Sequence, residues 1–335
     1  MPTPKIVLSV VDEHRKNFFT PDAIARLGSL GRLCLDPDPR NHATPRSRAA
    51  LADAEVLITG WETGRLDGLL DTMPDLKLLV HSGGSVRDVV GPQLFDRGIR
   101  MSSQTRLNAE PVAEYTLAMI ILAAKDVFAT RRAYTELRDK PDGFWDAFPN
   151  IGLYGSTIGL IGLSRISRLV IEHLRPFHCV IKVHSNHLTG AEAKSLGVEP
   201  TTLEDLLRTS DVVSLHSAST PRTYRMLGAK QFAMMKDGAT FINTARGAIC
   251  DQEALIAELQ KDRIRAIIDV TDPEVNVPDS PLWTLPNVFL TPHAAGSMGR
   301  ELHRLGDGAV DDVANYLKGA PVAGEFTAEQ YETRA

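Results

Sequence analysis

The stretch Leu153-Tyr154-Gly155-Ser156-Thr157-Ile158-Gly159-Leu160-Ile161-Gly162-Leu163-Ser164-Arg165-Ile166-Ser167-Arg168 decides how the chain is read. A short apolar run, Ile158 to Ile161, ends in a glycine. A turn of small residues follows, and then an amphipathic segment with Leu169, Val170, His173 and Leu174 that stops at Pro176. Strand, tight turn and helix in that order are the setting in which a glycine-rich dinucleotide fingerprint carries weight. The fingerprint is altered here: Gly162 is its first glycine, but Ser164 and Ser167 stand at the second and third positions. Alone it is a weak signal, and it gains force from what lies downstream.

A chain of 335 residues suits one large or two medium domains. With 43% hydrophobic and 24% charged residues it has the makings of a soluble globular protein with a sizeable core. The net charge of −5 removes the electrostatic footprint of a nucleic-acid binder. Cys34, Cys179 and Cys250 lie far apart, without the paired spacing of a metal site or disulfide framework, and read as reduced thiols; no metal is expected. The first apolar run, Ile6 to Val11, is too short for a signal-peptide core and is followed by Asp12 and Glu13. No apolar stretch is long enough to span a bilayer. The expectation is a cytoplasmic protein with no membrane partner.

Short β-rich runs alternate with helical patterns from the start, which predicts parallel α/β structure. Strands are predicted at Lys5–Val10, Arg32–Leu35, Glu55–Thr59, Lys77–Val80 and Ile99–Met101, with Asp36 to Pro45 as a surface loop. After Val80 comes a small-residue turn, His81-Ser82-Gly83-Gly84-Ser85-Val86. Pro111 to Ala124 reads as a helix with Pro111 at its start and Glu114 in its first turn. It is apolar nearly all round, as expected of a helix buried between domains or subunits. Lys140 to Tyr154, with Pro141, Trp145 and Pro149, reads as a loop. A second series then predicts six parallel strands: Thr157–Ile161, Cys179–Val183, Val212–Leu215, Thr240–Asn243, Ala266–Ile268 and Val288–Leu290. Thr201-Thr202-Leu203-Glu204 has a capping-box pattern and Asp251 caps another helix. Six such strands beginning at a phosphate-type turn are the dinucleotide-binding arrangement. A last helix, about Gly299 to Leu317, is expected to return to the first domain.

In an open parallel sheet, ligands sit beyond the carboxyl ends of the strands. Arg246 follows the strand ending at Asn243, Glu274 follows the one ending at Ile268, and His293 follows the one ending at Leu290. Each has a bland reading alone, as a surface ion pair, a solvated charge or a turn residue. Together, at neighbouring strand ends, they suit hydride transfer to a 2-oxo acid. Arg246 can hold the carboxylate and carbonyl oxygen with forked donors. His293 as imidazolium can deliver the proton as charge builds on that oxygen. Glu274 beside it favours the charged ring and fixes its orientation.

These residues match a family. The chain resembles the D-isomer-specific 2-hydroxyacid dehydrogenases over nearly its whole length. The resemblance is carried by Asn108…Pro111-Val112-Ala113-Glu114-Tyr115-Thr116-Leu117, Gly159-Leu160-Ile161-Gly162 and Ser210-Asp211-Val212-Val213-Ser214-Leu215-His216. Asn243-Thr244-Ala245-Arg246-Gly247, Asp269-Val270…Pro273-Glu274 and Thr291-Pro292-His293 complete it. It implies two doubly wound parallel-sheet α/β lobes. A discontinuous, flavodoxin-like substrate lobe would comprise residues 1–108 with 299–335, and a central Rossmann lobe residues 109–298, on which a homodimer is built. It also implies that Arg246, Glu274 and His293 are catalytic, and that Ser82-Gly83-Gly84 presents backbone N–H groups to the substrate carboxylate. Gly162, Ser164, Arg165, Ile166 and Ser185 would line the cofactor. His216, Ser217, Thr244, Ala245 and Gly296 would line it as well, with Asp269 holding the nicotinamide carboxamide. The related formate dehydrogenases are set aside, because they carry an amide where this chain has Glu274.

The departures from the family pattern carry information too. Ser164 adds a Cβ where the backbone approaches the pyrophosphate, with a hydroxyl able to donate to a phosphate, and Ser167 is a small intrusion. The acid that binds the ribose is expected roughly twenty residues after the fingerprint. Ser185, in His184-Ser185-Asn186-His187, falls there instead, so the cofactor is expected to be NAD or NADP, with Lys182 or His187 near a 2′-phosphate. His81, Arg87 and Arg106 lie close in sequence to the substrate turn and are candidates for a second anionic group on the substrate. Two other classes compete. One is a nicotinamide-sensing, corepressor-like interaction protein on the same fold. The other is an enzyme with another nucleotide cofactor such as a methyl donor, which leaves Arg246 and His293 without a task.

Overall fold

The computed structural model describes residues 3–140, 142, 143, 146, 148 and 151–334. Pro141, Trp145 and Pro149 of the predicted loop lie outside the described residues. The chain divides into two compact units, Met1–Ala109 with Ser297–Ala335, and Glu110–Gly296.

The first unit begins with β1 (Lys5–Ser9), α1 (Asp12–Phe18), α2 (Pro21–Leu30) and β2 (Arg32–Leu35). It continues through α3 (Pro45–Leu51), β3 (Val56–Thr59), β4 (Leu78–His81) and β5 (Arg100–Ser103). The strands form one parallel sheet in the order β2-β1-β3-β4-β5, the flavodoxin-like arrangement. β1, β3 and β4 are buried at every position, which is why they read as unbroken apolar runs rather than alternating ones. One face is covered by a cluster around Val7, Leu57, Leu79 and Met101, the other by a cluster around Ile6, Leu8, Phe18 and Val80.

The stretch Asp36 to Pro45 is not a plain surface loop. Asp36 and His42 turn inward and are buried, and Ser9 Oγ donates to Asp36 Oδ2 at 2.7 Å while lying 2.9 Å from His42 Nε2. The mutual hydrogen bonding of these side chains is what lets them leave water.

α4 runs from Thr105 to Ala124, so it begins six residues before Pro111 and holds that proline inside. Proline at the first helical position is the common case, which misplaces the start when sequence alone is read. Inside a helix it leaves the Leu107 carbonyl without its usual N–H partner. That gap in the ladder comes just after the chain passes from one unit to the other at Ala109 and Glu110.

The second unit continues with α5 (Val127–Leu137), β6 (Thr157–Ile161), α6 (Arg165–Leu174), β7 (Val180–His184) and α7 (Gly190–Leu196). Next come β8 (Glu199–Pro200), α8 (Leu203–Thr209), β9 (Val212–Leu215) and α9 (Ala229–Ala233). β10 (Thr240–Asn243), α10 (Gln252–Leu259), β11 (Arg265–Ile268) and β12 (Val288–Leu290) complete it. Among the described residues the sheet has seven strands, in the order β12-β11-β10-β9-β6-β7-β8, all parallel. The seventh is the two-residue edge β8, which has no pattern of its own and is defined only by pairing with Lys182 and Val183. The cap of α8 is Thr202, whose Oγ1 accepts from the Asp205 N–H, one residue beyond the predicted Thr201–Glu204 pattern. Asp251 caps α10 through the Ala254 N–H.

α11 (Glu301–Leu317) and α12 (Ala328–Arg334) belong to the first unit again. α11 packs on α1, α2 and β4. A Cβ at Gly306 would come within 1.9 Å of the Phe18 carbonyl oxygen, so α11 crosses α1 backbone to backbone at that glycine. Among the described residues, no helix is long and apolar enough to cross a membrane.

Candidate active site

β6 and β9 flank the point in the second unit's sheet where strand order reverses, the usual position for a ligand in this topology. Gly162 follows β6 with a φ of +97°, and a Cβ there would meet the Ser217 nitrogen at 2.8 Å and the His216 carbonyl carbon at 2.9 Å. Only glycine fits both the conformation and the space. Ser164 is the N-cap of α6: its Oγ accepts from the Ser167 N–H at 3.3 Å, and Ser167 Oγ donates back to the Ser164 carbonyl at 2.9 Å. The two serines that replace fingerprint glycines thus close the first turn of the helix on each other. The N–H groups of Arg165 and Ile166 between them have no partner among the described residues. An open helix N-terminus beside a bare glycine turn suits a pyrophosphate. The residues present therefore fit a dinucleotide.

The other residues expected around it divide. Ser217 Oγ lies 3.4 Å from the Ile161 carbonyl, and Thr244 Oγ1 lies 3.2 Å from Thr116 Oγ1. The Ala245 N–H is taken by Asn243 Oδ1 at 3.0 Å. His216 is buried with Nε2 2.9 Å from Ser214 Oγ, and burial pushes its pKa down to about 4. Its ring is a neutral part of the sheet, which leaves its backbone as the part able to meet a ligand.

His293 and Glu274 are joined directly, Nδ1 to Oε1. His293 sits at a φ of +56°, rare for a residue with a side chain, and its N–H donates to the Asp269 carbonyl at 2.8 Å. The buried Asp269 carboxylate holds the rest of that loop: it accepts from Thr291 Oγ1 at 2.5 Å, from the Ala294 N–H at 2.7 Å and from the Ala295 N–H at 3.0 Å. Tyr115 Oη in turn lies 2.9 Å from Thr291 Oγ1. The loop ends at the half-buried Gly296. With Nδ1 on Glu274, His293 Nε2 has no partner among the described residues.

Glu274 is held from its own side by Thr271, whose Oγ1 donates to the Pro273 and Glu274 carbonyls at 2.7 and 3.0 Å. A Cβ at Gly247 would fall 2.1 Å from the Thr271 carbonyl carbon, so the turn carrying Arg246 lies hard against the turn carrying Glu274. Arg246 itself is exposed, and its Nη1 donates to the Ala245 carbonyl at 2.7 Å. The structure brings His293 and Glu274 into contact and the Arg246 turn beside them, without a hydrogen bond from that guanidinium to either. Among the described residues no group of histidine, cysteine and acidic side chains is placed to hold a metal.

In the first unit, the Gly83 and Gly84 carbonyls are occupied, by the Gln104 N–H at 2.9 Å and by Thr105 Oγ1 at 3.0 Å. Their N–H groups have no partner among the described residues. Ser82 is buried and its Oγ donates to the Thr59 carbonyl at 2.8 Å. The turn therefore faces its open donors outward. Sequence reading gave no task to two neighbours. Asn108 accepts from the Ser297 N–H at 2.9 Å, and its Nδ2 would lie 3.5 Å from a Cβ at Gly84. Trp61 Nε1 would lie 2.5 Å from a Cβ at Gly83. Asn108 stood in the quoted motif; nothing in the sequence links Trp61 to that turn.

The cationic candidates fare differently. His81 is buried against Thr59 Oγ1 at 3.0 Å, and burial pushes its pKa down to about 4, so it is neutral rather than cationic. Arg106 lines a cavity of 510 Å³ together with Arg304, Asp307 and Asn315 of α11. Arg87 gives its carbonyl to Arg65 Nη1 at 2.9 Å.

Comparison with known proteins agrees with this geometry. A family model described as D-isomer specific 2-hydroxyacid dehydrogenase, NAD binding domain, matches residues 117–295. The chain is 30% identical over 273 residues to a D-3-phosphoglycerate dehydrogenase of Methanocaldococcus jannaschii, covering 80% of this chain and 51% of that protein. It thus spans about half the length of several of the curated relatives it matches. A glyoxylate reductase of Aeropyrum pernix is 31% identical over 290 residues, 84% of each chain. A solved D-lactate dehydrogenase of Aquifex aeolicus, complexed with NAD and lactic acid, superposes with a TM-score of 0.70 at 26% identity, over 94% of this chain and 96% of that one. With its nucleotide-type sheet, its bare glycine turn and its paired histidine and glutamate, the chain belongs to the D-isomer specific 2-hydroxyacid dehydrogenase family.

Proposed function

We propose that this protein interconverts a small 2-oxo acid and the corresponding D-2-hydroxy acid with a nicotinamide dinucleotide, NAD or NADP. The observation that carries the reading is the His293–Glu274 pair, seated on a loop clamped by Asp269 and leaving Nε2 open. A bound reduced nicotinamide supplies the hydride. Arg246 offers forked donors to the substrate carboxylate and to the carbonyl oxygen beside it. In the first unit, the open N–H groups of Gly83 and Gly84 can receive a carboxylate. As the carbonyl carbon is reduced, its oxygen takes the proton from His293 Nε2. Glu274 keeps the Nδ1 proton engaged, which fixes the ring and directs the exchangeable proton to Nε2. Asp269, with a lone-pair position left on Oδ2, is read as the group that holds the carboxamide.

The relatives' names suggest the first compounds to try: glyoxylate for reduction and D-3-phosphoglycerate for oxidation, within a wider panel of 2-oxo acids. Loss of the reduced-nicotinamide absorbance across that panel tests the reading, and no turnover with any member defeats it. His293→Gln should lower turnover by about 10²- to 10⁴-fold. Dinucleotide affinity, measured by titration calorimetry, should stay the same; equal loss of both would remove His293 from the chemistry.

The same reading includes a homodimer. α5 buries none of its residues and exposes Tyr134 and Leu137 at 59% and 57%. Large apolar side chains left exposed on a helix support pairing of two copies, and sedimentation at two concentrations reads it.

A further inference from the structure

We propose that this chain takes the 2′-phosphorylated dinucleotide in preference to the unphosphorylated one, through the turn Ser185–Leu188 at the end of β7. The inference rests on the nicotinamide-dependent reading above and makes it more specific.

The turn is placed by the sheet. The Gly162 N–H donates to the His184 carbonyl at 2.8 Å, so the residue after His184 lies beside the glycine turn on which a dinucleotide would rest. In this topology, an acid at that position receives the ribose 2′-hydroxyl and repels a phosphate in its place. The residue here is Ser185. Its Oγ accepts from the His187 N–H at 3.2 Å, and its carbonyl accepts from the Leu188 N–H at 3.4 Å, which folds the turn into a compact loop. Because Oγ is an acceptor in that bond, its own proton remains available to an anion.

No carboxylate is near in sequence: there is none between Glu172 and Glu192, and Glu192 is held by Arg168 at 2.7 Å. The His187 ring is exposed and has no partner among the described residues. His184 Nδ1 lies 3.1 Å from the Thr201 carbonyl, so that ring is oriented with Nε2 away from it. Arg165, exposed and without a partner among the described residues, stands three residues beyond the glycine that bonds His184. Lys182 is engaged elsewhere: its Nζ donates to Thr209 Oγ1 at 3.1 Å, at the far end of α8. The turn itself therefore offers a hydroxyl, the Asn186 amide and an imidazole, and it carries no carboxylate; the Arg165 guanidinium lies on the helix that follows the glycine turn. A phosphate dianion gains from each of these donors, whereas a ribose hydroxyl loses the carboxylate that would otherwise receive it.

Equilibrium binding tests this without turnover. Calorimetric titration of the full chain with NADPH and NADH should show NADPH tighter by at least tenfold, and 2′,5′-ADP should bind where 5′-AMP does not. Ser185→Asp should weaken NADPH by tenfold or more and leave NADH no weaker, since the new carboxylate repels a phosphate and receives a ribose hydroxyl. His187→Ala should weaken NADPH alone. Wild-type protein that binds NADH as tightly as NADPH or tighter, or a Ser185→Asp variant with an unchanged NADPH-to-NADH ratio, overturns the inference while leaving the dehydrogenase reading intact. Binding of neither dinucleotide overturns both.

Discussion

Asp269 matters to the His293 loop as much as any residue expected to touch substrate. A buried carboxylate that accepts from two backbone N–H groups and a hydroxyl holds His293 in a left-handed conformation that side chains avoid. Asp269→Ala strands those donors in a buried place at about 1–3 kcal/mol for each. We expect the second unit to lose roughly 3 kcal/mol or more in chemical denaturation, and turnover to fall even where the variant stays folded. Unchanged stability would mean that the loop is held by something else. The sequence placed Asp269 at the correct strand end but offered no way to see the loop it clamps, because Ala294 and Ala295 contribute only backbone.

Glycine inside a helix is ordinarily a weakness, and replacing it with alanine usually adds about 0.5–1 kcal/mol of stability. In α11 the sign should reverse. Gly306 meets the Phe18 carbonyl oxygen so closely that a methyl group would sit 1.9 Å from it, and Gly308 is similarly tight against Gln104 and Leu107. Gly306→Ala should force α11 off α1, lowering the melting temperature with a cost of about 1–3 kcal/mol. A rise in melting temperature would show that the helices can separate freely. The helix itself was legible from its apolar spacing. The close approaches at Gly306 and Gly308 were not, since spacing says which side is buried and nothing of how near a neighbour comes. Pro111 teaches the converse: its local preference for a helix start was overridden by six further residues, Thr105 to Glu110, that extend α4 ahead of it.

Across the molecule, each unit contains a buried neutral histidine, His81 in one and His216 in the other, both pushed down to about 4 by burial. The unfolded chain binds their protons near the ordinary value of about 6.5, so acid favours unfolding. The stabilisation is complete above about 6.5, declines as pH falls towards 4 and is gone below it, roughly 3 kcal/mol per histidine. Asp36 adds a second, lower step. Burial alone would raise its carboxyl, but hydrogen bonds from His42, the Asp38 N–H and Ser9 outweigh that and hold it at about 2. Its contribution is present above about 3.8 and is lost as pH falls towards 2. Melting temperature should therefore be flat from pH 8 to 7 and fall between 6.5 and 4. His216→Gln should flatten that fall for the second unit. A constant melting temperature down to pH 4.5 would contradict this account.

From its residues alone the chain could be assigned two parallel α/β lobes and a dinucleotide-type turn at Gly162. The placement of Arg246, Glu274 and His293 after neighbouring strand ends was legible for the same reason: unbroken apolar strands and punctuating glycines are local features, and strand ends follow from them. Whether those side chains meet is not local. The contact of His293 with Glu274, the seating of the Arg246 turn on Thr271, the inward-turned Asp36 and His42, and the diversion of Lys182 to Thr209 all join residues distant in sequence. Such contacts depend on backbone separations and on which polar group finds a partner away from water, and these are settled only when the sheets and helices pack.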